Sequence, residues 1–478
     1  MIPPLRPYQQ AEVHGFAHVP KRALFWQPRI GKTLASASSL QRGVPNLLRA
    51  VVIAPYNVCP MWARLLPNFG YSVVKLYEQP IAETIDLLRG ARQPAVAVAN
   101  YHRLGYPAAE QGSKRYTVGD LLALWKPDGL VIDESHEISS PSARWARQAR
   151  ALAWATPWVR CLSGTPVRNH YGSLWGQMAA LDPAEWGYFY KDFKERYLVT
   201  DAVWPSMVLG YKNLDDLTER LRRTCSIKRR EDVFGPDQWI IDVREVELPE
   251  RAARLYERLA HEWLIDEAEP ALRIDGRHIL TRLVRLQQIA SGYLVPDGGE
   301  PELIHRAKID AVLGDLGELV ASQEKAVVYH RFRWEGEQLA AGAATLGAPV
   351  LVINGDVPAR EREEVERRIA ADPGPLVALV QTQSGGVGIS FAAATYALVV
   401  SQGFSFIAEE QARDRIFAPG VPRHVMYYRS LGTVDEYIAE VQDKKLSLHN
   451  DFVNIDRRDL CFGSRRKRTP LTPQGLIA

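Results

Sequence analysis

The chain predicts an α/β fold: two parallel sheets covered by helices, with further helical segments inserted. Three observations predict it. Short apolar runs alternate with helical stretches in two separate sets. One such run, at 23–26, opens into a lysine-bearing turn and a helix. A second, ending at Ile132, closes on the acidic pair Asp133-Glu134.

The first set of runs lies at 23–26, 51–53, 95–98, 129–132 and 159–162, and the second at 326–329, 350–353, 376–380 and 396–400. They consist mostly of Val, Ile, Leu and Ala without polar alternation, which suits strands buried on both faces of a parallel sheet. Strands alternating with helices imply crossover units. Residues 167–300 read differently. Charged amphipathic stretches at 214–223, 251–265 and 271–289 predict helices there. We therefore expect an N-terminal lobe at 1–235, with a helical insertion from about 167, and a C-terminal lobe at 236–455, with an insertion at about 245–300. A basic, flexible tail is expected at 456–478.

A chain of 478 residues, 46% hydrophobic and 24% charged, has an ordinary globular profile and can bury sizeable cores. No apolar run is long enough to span a membrane, and residues 1–6 do not begin a secretory signal. A cytoplasmic location is expected, with no membrane partner. Cys59, Cys161, Cys225 and Cys461 are scattered without C-x-x-C spacing, so buried thiols are expected rather than a zinc site or disulfides. A net charge of only +3 excludes a bulk polycation, so any contact with nucleic acid must be local. Three clusters are candidates: Arg144, Arg147 and Arg150 on one helical face; residues 220–230; and Arg465 to Arg468 in the tail.

The run at 23–26 leads into Trp26-Gln-Pro-Arg-Ile-Gly-Lys-Thr33. A strand, a tight turn and a helix N-terminus make an anion site, because free backbone N–H groups and the helix dipole point at one spot. In such a loop Lys32 reaches the β- and γ-phosphates of a nucleoside triphosphate, and the Thr33 hydroxyl ligates Mg2+. Arg29 and Gly31 complete the turn. The loop departs from the usual G-x-x-x-x-G-K-[ST] pattern: Trp26 stands at the first glycine and Pro28 removes one N–H. In the second motif, Leu130-Val-Ile-Asp-Glu-Ser-His136, the acids sit at the C-terminal end of a strand, where ligands of such sheets bind. Asp133 would hold Mg2+, and Glu134 would orient or deprotonate the attacking water. The plain readings, a strand-to-helix turn and two solvated acids, weaken when both motifs occur in one chain.

The remaining motifs come in an order that resembles the superfamily 2 helicase-like ATPases, and within them the Swi/Snf-like double-stranded DNA translocases. Leu5-Arg-Pro-Tyr-Gln9 is similar to their adenine-reading element. Val51-Val-Ile-Ala-Pro55 and Val98-Ala-Asn-Tyr-His102 resemble strand-contacting motifs, and Leu162-Ser-Gly-Thr-Pro166 with Arg168 resembles the segment coupling hydrolysis to movement. Gln381-Thr-Gln-Ser-Gly-Gly-Val-Gly-Ile389 and Gln411-Ala-Arg-Asp-Arg415 resemble motifs five and six. The resemblance covers residues 5–450.

The resemblance implies two RecA-like lobes, with ATP and Mg2+ as cofactors and ATP bound between the lobes. Gln9 would read the base. Arg415 would be the arginine finger, and the backbone at Gly386 and Gly388 would help to hold ATP. His136 and Gln411 would meet across the cleft, Ser163 and Thr165 would couple hydrolysis to movement, and Tyr56, Tyr101, His102 and Arg168 would face nucleic acid. Ala418 stands where the family carries a second motif-six arginine, which leaves Arg415 or Arg413 to act alone. The expected activity is DNA-dependent ATP hydrolysis by a monomer that moves on duplex or forked DNA. Two alternatives stay open: a strand-separating DNA or RNA helicase, and a low-turnover, nucleotide-gated DNA-binding protein.

Overall fold

The computed structural model describes residues 2–111, 114–205, 207–236, 238–267, 276–296, 299–355, 357, 359–382 and 389–453. The chain divides into two units, one formed by Met1–Val233 with a return at Ser447, the other by Phe234–Leu446.

The first unit is organised on β1 (Lys21–Trp26), β2 (Arg49–Ala54), β3 (Ser72–Lys75), β4 (Ala95–Asn100), β5 (Gly129–Asp133), β6 (Trp158–Leu162) and β7 (Cys225–Lys228). All pairings are parallel, in the order β7-β1-β6-β5-β2-β4-β3. The interior strands are buried almost end to end, as sheets covered on both faces require. Val51, Ile53, Leu130, Ile132 and Val159 pack in one core with Leu152 and Met178. The helices of this unit include α1 (Pro7–Phe16), α2 (Lys32–Gly43) and α3 (Arg144–Ala155). The strand order brings the C-terminal ends of β1, β6 and β5 side by side.

The second unit is built on β8 (Trp239–Val246), β9 (Lys325–His330), β10 (Val350–Ile353), β11 (Leu376–Gln381), β12 (Tyr396–Val399) and β13 (Arg423–Ser430). This sheet is also all parallel, ordered β8-β13-β12-β9-β11-β10. Alternate residues divide between its faces. Val328, Leu379 and Leu398 enter one core; Val327, Tyr329 and Ala378 enter the other.

The inserted segment of the first unit is not purely helical. Leu198–Thr200 and Val208–Tyr211 pair as an antiparallel hairpin, and 225–228 is the edge strand β7, with Phe25 beside Ile227. All three strands, of three or four residues, are too short to show a period in sequence. In the second unit Glu250–Glu267 and Gly276–Ser291 are helices. No described helix is long and apolar enough to cross a membrane. Cys59, Cys161 and Cys225 are buried free thiols; Cys461, Gly386, Gly388 and the tail at 456–478 lie outside the described residues.

Candidate nucleotide site

The phosphate loop grows out of β1. Trp26, at the position where the usual pattern has glycine, is fully buried, and its indole N–H donates to Ser226 Oγ of β7 at 2.9 Å. Tyr8 meets it edge-on at 5.8 Å. The loop is pinned to the edge strand: Gln27 N–H donates to the Lys228 carbonyl at 2.9 Å, and Arg230 N–H to Gln27 Oε1 at 2.8 Å. Two residues turn the chain with positive φ, Arg29 at 70° and Gly31 at 79°. Gly31 is the N-cap of α2. A Cβ there would lie 2.3 Å from Gln9 Nε2, so glycine is needed for close approach as well as for φ. Gln9 is only 3% exposed, and its amide N–H donates to the Gly31 carbonyl at 3.1 Å while its Oε1 accepts from Arg6 N–H at 2.8 Å. The structure thus sets Gln9 beneath the loop as a brace. Lys32 Nζ donates to the Trp26 carbonyl at 2.9 Å. Thr33 comes next, half-buried, in the first turn of α2.

Asp133 ends β5, and its carboxylate is fixed at both oxygens. Trp62 Nε1 donates to Oδ2 at 2.8 Å and the Glu134 N–H to Oδ1 at 3.0 Å. Burial, and after it the adjacent Glu134 charge, raises its pKa above the usual carboxylate range. Glu134 follows the strand in a left-handed backbone conformation, φ 51°, that non-glycine residues seldom adopt. Burial pushes its pKa up, but a hydrogen bond from His136 and the charges of His136 and Lys32 outweigh that and hold it low. Within the pair, burial pushes Asp133 up, while the cationic neighbours of Glu134 hold it down.

His136 lies buried behind the pair. Its Nδ1 is 3.0 Å from Ser163 Oγ and 3.3 Å from Glu134 Oε2, and its Nε2 is 3.5 Å from Glu137 Oε1. Burial works against its protonation, but the two carboxylates prevail and raise its pKa. Ser163 Oγ also accepts the Thr165 N–H at 3.1 Å. Between them Gly164 is pressed against the loop: a Cβ would meet Pro28 at 2.9 Å and Lys32 Nζ at 3.3 Å. Lys32, Asp133, Glu134, His136, Ser163 and Thr165 thus gather at one sheet edge.

The residues expected to face nucleic acid sit in different settings. Tyr101 does not face a strand: it is 3% exposed, and its hydroxyl donates to the Asp133 carbonyl. Arg168 is held by Glu137 at 2.5 Å. Tyr56 is 63% exposed beside Tyr77, and exposed His102 lies edge-on to Trp145 at 4.6 Å. Arg150 is no surface cation. It is 3% exposed, donates to the carbonyls of Ile138, Ser140 and Pro141, and lies over Trp175. Within 220–230, Arg220 pairs with Asp216 and Glu185, and Arg229 with Glu231 and Asp232, so much of that charge is neutralised. Trp62 and Glu137 were missed as site residues. The first is remote in sequence, whereas the second directly succeeds the acidic motif and was open to suspicion as a partner for His136.

In the second unit Gln411 and Arg415 lie four apart, on one face of α4 (Phe406–Ile416). Arg413 is engaged by Glu410 and lies over Trp239 at 5.6 Å. Ala418 falls beyond the end of the helix. It lines a recess with Phe234, Trp239 and Phe417, an aromatic setting unlike that of an exposed arginine.

The SNF2-related domain model matches residues 23–291, more than half of the chain. The chain belongs to the SNF2-related family. A helicase conserved C-terminal domain model matches 307–419 of the same SNF2-related chain. Over 85% of its length it is 23% identical to a putative ATP-dependent helicase/translocase, YwqA, of Bacillus subtilis, covering 43% of that protein. It is 24% identical to an uncharacterized ATP-dependent helicase of Mycoplasma genitalium over 67% of its length, covering 30% of that protein. A probable global transactivator of Orgyia pseudotsugata multicapsid polyhedrosis virus is 23% identical over 92% of this chain and 87% of its own. The chain thus spans less than half the length of these bacterial relatives. Among solved structures, the Sulfolobus solfataricus SWI2/SNF2 ATPase core in complex with dsDNA aligns over 96% of both chains, with 20% identity and a TM-score of 0.43.

Proposed function

We propose that this chain is a DNA-dependent ATPase that couples hydrolysis to movement on duplex or branched DNA, remodelling it or displacing bound proteins. One observation carries the reading: Lys32, the Asp133–Glu134 pair and Ser163–Thr165 stand at the ends of three adjacent strands, with Gly164 against the lysine. The cradle suits a triphosphate. Glycine at 31 lets Gln9 brace the loop and glycine at 164 lets Pro28 and Lys32 approach, and the N-terminus of α2 carries the cation.

Mg2+ would be held by Thr33 and Asp133 together with phosphate oxygens and water. Among the described residues no group of three His, Cys, Asp or Glu is arranged to hold a metal alone. Bound there, it would neutralise charge on the phosphates. Lys32 binds the β- and γ-phosphates, and Glu134 orients the attacking water. Ser163 and Thr165 report through His136 on the position of Glu134. Arg415 supplies a further positive charge for turnover. The words helicase and translocase in the relatives' names support a nucleic-acid track, and exposed Tyr56 and His102 suit contact with one.

One observation favours strand separation as a second reading. The hairpin 198–211 carries Trp204 at its tip, 69% exposed, on a turn fixed by Asp201 Oδ1, which accepts the Val203 and Trp204 N–H groups at 2.8 Å. The test for both is steady-state ATP hydrolysis with no nucleic acid, duplex, single-stranded or forked DNA, or RNA, with Lys32→Ala as the control. Stimulation by duplex or fork supports translocation. Stimulation by single strands or RNA alone supports unwinding, and no Lys32-dependent turnover defeats both.

A further inference from the structure

The contacts around His136 form a chain in which each group is shared. Arg168 Nη2 lies 2.5 Å from Glu137 Oε1; the same oxygen lies 3.5 Å from His136 Nε2; and His136 Nδ1 lies 3.3 Å from Glu134 Oε2. Ser163 Oγ shares that Nδ1 at 3.0 Å. The arginine takes the Glu137 oxygen at full charge-assisted strength, which leaves the imidazole a long, weak contact. The inner links are buried. Glu137 and Arg168 are each 33% exposed, so an anion from solution meets the chain at its arginine end.

We infer that Glu137 and Arg168 are positioning residues for Glu134, acting through His136: a nucleic-acid phosphate that draws Arg168 away frees Glu137 to take the imidazole, which then releases Glu134 to orient the attacking water. This rests on the proposed DNA-dependent ATPase activity. A guanidinium serves phosphate as well as carboxylate, so the exchange of partners is close to balanced. The ring faces both carboxylates through opposite nitrogens, so it shifts along one line: the 3.5 Å Nε2 contact with Glu137 shortens as the 3.3 Å Nδ1 contact with Glu134 lengthens. Arg168 then links strand contact to hydrolysis from inside the first unit.

The test measures kcat and KM for ATP separately, with and without saturating duplex DNA, for the unaltered protein, Arg168→Gln, Glu137→Gln and the double variant. Lys32→Ala is the blank, and thermal melting of each variant identifies unfolding. Arg168→Gln is expected to raise the DNA-free kcat roughly threefold or more with KM little changed, and to shrink the stimulation by DNA. Glu137→Gln is expected to lower the DNA-stimulated kcat roughly tenfold. The double variant should match Glu137→Gln, because Arg168 acts only through Glu137.

A common fall in kcat for both single variants, or additive losses in the double variant, overturns the proposal in favour of a structural pair. So does an Arg168→Gln that loses DNA affinity with its DNA-free kcat intact, since Arg168 is then only a strand contact. If the unaltered protein itself shows no Lys32-dependent turnover, the ATPase reading fails and the proposal with it.

Discussion

The indole N–H of Trp62 donates to Oδ2 of Asp133 at 2.8 Å, joining residues 71 positions apart in the chain. Both are buried, and with the Glu134 N–H on the other oxygen the carboxylate has one orientation. Trp62→Phe keeps a ring but removes the donor. A hydrogen bond lost from a buried carboxylate costs about 1.5–3 kcal/mol. Denaturant melts should show that loss, and the Mg2+ concentration for half-maximal turnover should rise. An unchanged Mg2+ dependence would contradict the part given to Trp62.

Tyr101→Phe separates two readings of that residue. With its hydroxyl on the Asp133 carbonyl, the change should cost about 0.5–1.5 kcal/mol of stability and lower kcat, while DNA affinity stays as it was. A drop in DNA affinity alone would return Tyr101 to the nucleic-acid face.

Glu134→Gln should retain ATP and DNA binding and stop turnover, because an amide cannot take a proton from water. Nucleotide binding by equilibrium titration and phosphate release by a coupled assay measure the two separately. Full turnover in this variant would remove Glu134 from the chemistry.

Arg415→Ala should abolish turnover with little loss of nucleotide affinity. Arg413, held by Glu410 and lying over Trp239, is already committed and is not expected to substitute. Near-normal turnover in Arg415→Ala would sink the arginine-finger assignment.

Arg150→Ala should destabilise the protein by about 3 kcal/mol, since it strips donors from three carbonyls and leaves a void beside Trp175. Arg147→Ala, on the exposed side of α3, should cost almost nothing. The salt dependence of DNA binding separates the pair further: Arg150→Ala should leave its slope unchanged.

Most interior strands were legible because they are nearly continuous apolar runs, which a sheet buried on both faces demands; β13, inside the second sheet, was not, because charged and polar residues break its apolar positions. The edge strand β7 was not: its four residues, Cys-Ser-Ile-Lys, come after an amphipathic helix and precede two arginines. Arg144, Arg147 and Arg150 show the limit of helical spacing. The spacing places residues near one another on a helix, but not against a neighbour, and the carbonyls of 138–141 capture the third arginine. Nor does the motif at 5–9 show that the Gln9 amide, expected to read the base, donates to the Gly31 carbonyl of the loop.

By itself the sequence determined the α/β class, nine strands in two sets (but not β3, β7, β8 or β13) and the order of the phosphate loop, acidic pair and serine–threonine segment. These are local matters, set by hydrophobic runs, turn residues and the residue types that phosphate chemistry needs. Only the tertiary structure decided which side chain serves which: Trp62 and Tyr101 on Asp133, His136 shared between Glu134 and Glu137, and Arg168 on Glu137. Strand order brings distant ends together, and burial then drives most polar atoms to whichever partner lies within about 3 Å. No local pattern encodes that choice.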